Sequence, residues 1–129
     1  MSEHDQQAAV IQWANAQACS VPELRLLFAI PNGGGRGKSF ITKSGHKYPP
    51  LEAVKLKKEG VRPGVPDLCL PVARNGYNAL YIEMKDTHAK LSTDQISWKA
   101  ALCQQGNYVV TCWSATEAIQ ELKNYLHLR

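Results

Sequence analysis

Two short apolar runs that admit charged residues constrain this chain more than anything else in it. Gly64-Val65-Pro66-Asp67-Leu68-Cys69-Leu70-Pro71 and Leu80-Tyr81-Ile82-Glu83-Met84-Lys85 each read as a buried strand. Yet a carboxylate enters the first run, and a carboxylate and an ammonium enter the second. A lone ionised carboxylate in such a place costs several kcal/mol unless it is paired or bound to a metal. Residues two apart in a strand share a face, so Glu83 and Lys85 point together while Met84 points into the opposite layer. Between the runs lies Arg74-Asn75-Gly76-Tyr77, whose Asn-Gly pair is the strongest short-range hairpin signal. Closing that hairpin makes the two strands neighbours and can bring Asp67 beside Glu83. The pattern gathers two carboxylates and a lysine on one face, a ready site for a hard divalent cation.

At 129 residues the expectation is a single domain spanning 1–129. A hydrophobic fraction of 44% without low-complexity tracts argues for an ordered globular chain. No apolar segment has the length of a membrane span, and the polar start Met1-Ser2-Glu3-His4-Asp5 is no signal peptide. A cytoplasmic location with no membrane partner is the default expectation. The cysteines Cys19, Cys69, Cys103 and Cys112 show no C-x-x-C spacing. Cys69 and Cys112 sit inside apolar runs, as small buried hydrophobes do, which disfavours a structural zinc site.

Net charge is +4, which permits a polyanionic partner without establishing one. Its distribution says more. Arg36, Lys38, Lys43, Lys47, Lys55, Lys57, Lys58 and Arg62 all precede Asp67, so basic charge flanks the carboxylates as a phosphate-bearing substrate requires.

In chain order, Ser2 with Asp5 matches a capping box and opens a helix to about Ala18, with Val10, Trp13 and Ala14 inward. Leu24 to Ile30 reads as a buried strand. The glycine-rich loop Pro31-Asn32-Gly33-Gly34-Gly35-Arg36-Gly37-Lys38 has two readings. It is a flexible connector, or a backbone rich in N–H groups whose two cations approach phosphates. Its Gly37-Lys38-Ser39 end imitates a P-loop, but Asn32 stands where the first glycine is required.

Residues Ser39 to Tyr48 suggest a loop or loose hairpin, and Leu51 to Glu59 a short helix opened by Pro50 and closed by Gly60. Strands follow at about Leu68–Val72 and Ala79–Lys85. Ser92 with Gln95 caps a helix to about Gln105, with Ile96, Ala100 and Cys103 inward and Gly106 as its stop. Tyr108 to Trp113 is a third core strand. Ser114 with Glu117 caps a last helix to about His127, striped by Ala118, Leu122, Tyr125 and Leu126. Trp98 and Trp113 are assigned to core or dimer contacts. The order α-β-α-β-β-α-β-α is that of an α/β chain with a mixed sheet flanked by helices.

Pro66-Asp67 followed by Glu83-Met84-Lys85 resembles the signature of the PD-(D/E)XK nuclease superfamily. More narrowly, the chain resembles a stand-alone VRR-NUC domain. That likeness rests on Glu3 with Gln7, Pro31-Asn32-Gly33-Gly34, Gly64-Val65-Pro66-Asp67-Leu68, Glu83 and Lys85, and Ser92-Thr93-Asp94-Gln95. It extends to Gly106 and the helix of Ser114 and Glu117. The segment Lys38 to Tyr48 is longer than the simplest pattern.

The resemblance implies a restriction-endonuclease-like fold and metal-dependent cleavage of DNA phosphodiesters with Mg²⁺ or Mn²⁺. Asp67, Glu83 and the Met84 carbonyl would hold the ion, with Glu3 as an outer or second-metal ligand. Lys85 would orient the attacking water or stabilise charge on phosphate oxygen, and Gln95 would orient the lysine or touch the DNA backbone. Asn32, Gly33, Gly34, Arg36 and Lys38 would contact DNA. Stand-alone members resemble homodimeric endonucleases on branched DNA, four-way (Holliday) junctions in particular, in bacterial or phage-infected cells. Members fused to larger repair enzymes work on flaps, and the expectation of no fused partner favours the junction reading. Flap or duplex cleavage on the same fold, and non-cleaving nucleic-acid binding, stand as the alternatives.

Overall fold

The Asn75-Gly76 turn has φ of +56° and +83° at its two central residues, the pair of positive values that a type I′ hairpin needs. Arg74 and Tyr77 exchange backbone hydrogen bonds of 2.8 and 3.2 Å across it. The computed structural model, which describes residues 2–31, 40–41, 47–48 and 50–129, builds its sheet outward from this turn. Strands β4 (Leu68–Leu70) and β5 (Leu80–Met84) pair antiparallel, with Leu68 opposite Ile82 and Leu70 opposite Leu80. A short β1 (Phe28–Ala29) adds antiparallel to the far side of β4. On the other side β6 (Tyr108–Cys112) adds parallel to β5. The four-stranded order is β1-β4-β5-β6, a mixed sheet as expected. A separate two-stranded ribbon pairs β2 (Phe40–Ile41) with β3 (Lys47–Tyr48), in the stretch read as a loose hairpin.

Four α-helices are described: α1 (Glu3–Gln17), α2 (Pro50–Lys58), α3 (Thr93–Gln104) and α4 (Ala115–Leu126). All three predicted serine caps form. Ser2 with Asp5 and Ser92 with Gln95 make full capping boxes. Ser114 accepts from Glu117 N–H at 3.1 Å, and the Glu117 carboxylate accepts from Trp113 N–H at 2.7 Å instead. The parallel β5–β6 pair needs a crossover connection, and α3 supplies it.

Alternation divides the sheet into two faces. Leu68, Leu70, Leu80, Ile82, Met84 and Cys112 look into the main core, where Val10 and Ala14 of α1 and Ala118, Leu122 and Tyr125 of α4 meet them. The Tyr125 hydroxyl donates to the Val72 carbonyl at 2.6 Å, so the phenol is buried with its polar tip satisfied. The stripes expected for α1 and α4 are the ones observed. Among the described residues no helix is long and apolar enough to cross a membrane.

Two expectations fail. Leu24 to Ile30 is not one buried strand: Pro22 opens a 3-10 turn over Pro22–Leu26, Leu27 turns the chain to extended backbone, and only Phe28–Ala29 pairs as strand. Leu24 is buried, whereas Leu26 and Phe28 are about half exposed, at 51% and 48%. Proline at the first helical position is pre-set for a helical turn, and that local preference overrides the apolar run. The second failure is the phase of α3. Ile96, Ala100 and Cys103 face solvent, and Gln95, Trp98, Lys99 and Leu102 turn inward. The inward set has the i, i+3, i+4, i+7 spacing of one helix face, and it is led by a polar residue. Of the two residues assigned to core or dimer contacts, Trp98 turns inward and Trp113 lies outside the core, 41% exposed, its indole N–H donating to the Ala89 carbonyl at 3.2 Å.

The cysteines divide in two. Cys69 and Cys112 are buried, Cys19 and Cys103 are exposed, and all are free thiols. Burial pushes the Cys112 thiol up to about 12 and also raises that of Cys69. A thiol-disulfide reagent at about pH 8 is therefore expected to label Cys19 and Cys103 rapidly, because only a thiolate attacks. Mass spectrometry of the labelled peptides should find Cys69 and Cys112 modified only after unfolding.

Candidate active site

The second face of the sheet carries the charges. Asp67 precedes β4, and its backbone carbonyl accepts from Ile30 N–H at 2.8 Å, extending the β1–β4 pairing. The β4–β5 register, run on by one step beyond the Leu68–Ile82 pair, sets Asp67 across from Glu83. Asp67 Oδ2 accepts from the Met84 backbone N–H at 2.7 Å, which pins the carboxylate to the neighbouring strand. Both acids are only 3% exposed.

Gly64 explains how Asp67 reaches this place. Its φ is +91°, and a Cβ there would lie 2.6 Å from the Asp94 carbonyl carbon. The chain therefore presses its backbone against the first turn of α3 just before it enters β4. That contact brings α3 over the charged face. Gln95 then does two things: its Oε1 accepts from Ser92 N–H at 2.8 Å, and its Nε2 donates to Glu83 Oε2 at 3.4 Å. One buried amide both caps the helix and meets the carboxylate. Its oxygen keeps a second lone pair beside the cap, so the amide can still accept from a further donor while its nitrogen meets Glu83.

Lys85 lies two residues beyond Glu83, on the same side of the strand by alternation, and is half-buried. Its backbone N–H bonds the Cys112 carbonyl at 2.9 Å, so the β5–β6 ladder continues through it. From α1, Glu3 Oε1 accepts from Asp86 N–H at 3.0 Å. The first helix is thereby tied to the residue after Lys85. Asp67, Glu83, Met84, Lys85 and Gln95 are thus brought together, and Glu3 is brought to the edge of the group.

Asn32, Gly33, Gly34, Arg36 and Lys38 lie outside the described residues. Lys55, Lys57, Lys58 and Arg62 are exposed on α2 and the segment leading to Gly64. Residue-by-residue reading missed two features that lie beside these residues. One is the close approach at Gly64; a glycine before Pro-Asp was visible, but not what it touches. The other is Thr111, paired in register with Glu83, which looks like any β-forming residue in a strand.

Among the described residues no three His, Cys, Asp or Glu side chains converge into a metal-binding group. The donor set fits a hard cation of a particular kind. Mg²⁺ keeps several waters and is commonly bound through one or two carboxylates together with substrate phosphates. Two adjacent buried carboxylates with only oxygen donors match that habit, and a cation would offset their mutual repulsion.

The VRR-NUC domain model matches residues 39–116 of this sequence. The chain belongs to the VRR-NUC domain family. A solved structure described as a VRR_NUC domain protein is similar at a TM-score of 0.76 and 25% identity, over 99% of this chain and 90% of that one. A search of curated proteins returns no match. As a VRR-NUC domain the chain is a nuclease of the PD-(D/E)XK type, with the mixed sheet and flanking helices of that VRR-NUC structure. The matched span contains Asp67, Glu83, Lys85 and Gln95, while Glu3 precedes it.

Proposed function

We propose that this VRR-NUC domain is a divalent-metal-dependent endonuclease that hydrolyses phosphodiesters in branched DNA, four-way junctions in particular. The observation that carries the reading is the pair of buried acids, Asp67 and Glu83, set across adjacent strands with Lys85 beside them. Chain 1–129 acts as one nuclease domain, in the cytoplasm, and as a homodimer. A two-fold junction asks for two matched cuts, and a closed two-fold dimer supplies two matched sites.

Asp67, Glu83 and the Met84 carbonyl would hold Mg²⁺ or Mn²⁺, with Glu3 as an outer ligand. When bound, such an ion supplies an activated water near neutral pH and offsets charge at the scissile phosphate. Lys85 contributes a positive charge directed at the phosphate oxygens, where charge builds during attack, and orients the incoming water. Gln95 holds the Glu83 carboxylate and ties it to the start of α3. Glu3 holds the Asp86 backbone and with it the end of the strand that presents Lys85. Arg36 and Lys38, with the backbone of Asn32, Gly33 and Gly34, contact DNA phosphates. The exposed lysines of α2 offer further phosphate contacts, so binding should weaken steeply with salt.

Purified protein incubated with labelled junctions, flaps, duplexes and RNA tests the reading. Cleavage of junctions in Mg²⁺ or Mn²⁺, and none in EDTA, is the expected result, with a dimer mass in solution. Junction binding without cleavage in any metal would leave a nucleic-acid binder instead. Preferential cutting of flaps or duplexes would move the substrate assignment while keeping the chemistry.

A further inference from the structure

We infer that Thr111 is a positioning residue for the Glu83 carboxylate, its hydroxyl fixing that group when a cation is bound. The inference rests on the reading of Glu83 as a ligand of a divalent cation. It starts from the sheet. β6 runs parallel to β5 with Thr111 in register with Glu83, and neighbouring strands lie about 4.8 Å apart. Cys112, with the partly buried Tyr108 and Val110, serves the main core. Alternation therefore turns Thr111 to the opposite face, the one that bears Glu83.

Its hydroxyl is anomalous. Among the described residues, Thr111 Oγ1 is the one buried side-chain polar atom without a hydrogen-bond partner. Roughly 90% or more of buried polar groups in folded proteins have one. Valine would fill the same volume in a strand without leaving a polar atom unmet, so the hydroxyl is unfavourable for folding alone. A group retained at such a position gains its partner in another state of the protein, and in register with it stands the Glu83 carboxylate. Gln95 already approaches that carboxylate from α3, at 3.4 Å, long for a bond to a charged acceptor. Thr111 offers a second donor from β6. Donors from two separate elements define a ligand's orientation better than one, which is the task of residues behind a metal ligand.

The test uses Thr111→Val, which keeps shape and removes the hydroxyl, and Thr111→Ser, which keeps the hydroxyl. Each is measured without DNA, by calorimetric Mn²⁺ titration and by thermal melting with and without Mn²⁺. Thr111→Val is expected to melt at or a few degrees above wild type in EDTA. Its Mn²⁺ affinity should fall about 10- to 100-fold, the usual effect of losing a residue behind a metal ligand, and its Mn²⁺-induced rise in Tm should shrink accordingly. Thr111→Ser should bind Mn²⁺ within a few-fold of wild type. Wild-type affinity in Thr111→Val, or equal losses in both variants, overturns the assignment. Asp67→Asn serves as the reference for the site itself. If wild type binds Mn²⁺, Asp67→Asn does not, and Thr111→Val matches wild type, the Thr111 assignment alone has failed. If wild type binds no Mn²⁺, the cation reading has failed and takes this inference with it.

Discussion

Asp67→Asn is expected to slow junction cleavage about 1,000-fold or more while leaving the fold intact. Metal-ion catalysis contributes several kcal/mol of charge stabilisation in the transition state, and each 1.36 kcal/mol is a factor of ten in rate. Removing one of the two carboxylates proposed to hold the ion would forfeit most of that. Asparagine keeps the size of the side chain and an oxygen able to accept from Met84 N–H, so the 2.7 Å bond that pins this residue to β5 can survive. It also removes one of two neighbouring buried carboxyl groups, each only 3% exposed. The metal-free variant should therefore melt no lower than wild type, the trade of stability against activity expected at a functional site. Lys85→Ala should cost roughly 100- to 1,000-fold, as loss of one aimed charge-stabilising group does. Single-turnover cleavage assays and thermal melts in EDTA check both. A rate for Asp67→Asn within tenfold of wild type, at intact folding, would remove this acid from the chemistry.

How much of this was visible in the residues divides along a physical line. What is encoded locally was legible. Asn75-Gly76 carries its own positive-φ requirement, and Ser2 with Asp5 and Ser92 with Gln95 carry their own hydrogen bonds. The charges inside two apolar runs could be placed on one face because strand alternation needs no tertiary knowledge. What depends on contacts distant in sequence was not legible. The phase of α3 is led by Gln95, an amide that is inward because Glu83 lies across from it, twelve residues back in the chain. Apolar periodicity put Ile96 inside, and it is 56% exposed. The stretch from Leu24 to Ile30 failed for the complementary reason: Pro22 starts a tight turn that no count of apolar residues reveals. Thr111 was invisible because its significance lies in a parallel register set by a crossover helix.

Gly64 is where fold and chemistry meet, and Gly64→Ala should be the most damaging glycine-to-alanine change among the described residues. Two effects add there. A non-glycine residue at φ +91° is strained, a penalty of order 1–3 kcal/mol. The new Cβ would also stand 2.6 Å from both the carbonyl carbon and the Cβ of Asp94, atoms of a capped helix turn that cannot yield like a flexible side-chain end. Gly60 separates the two effects. Its φ is +103°, yet nothing lies within 4 Å of a Cβ built there, so Gly60→Ala carries strain alone. Denaturant unfolding is expected to show Gly60→Ala losing about 1 kcal/mol, with activity near wild type. Gly64→Ala should lose more, about 3 kcal/mol or beyond once the overpacking is added. It should also cut more slowly than its folded fraction allows. The reason is mechanical: relief of the clash moves Asp94, Asp94 carries Gln95, and Gln95 meets Glu83. Displacing a supporting contact by about 1 Å can cost on the order of 100-fold in rate. If Gly64→Ala proves as stable and as active as Gly60→Ala, the close approach of the Pro-Asp segment to α3 does not set the site.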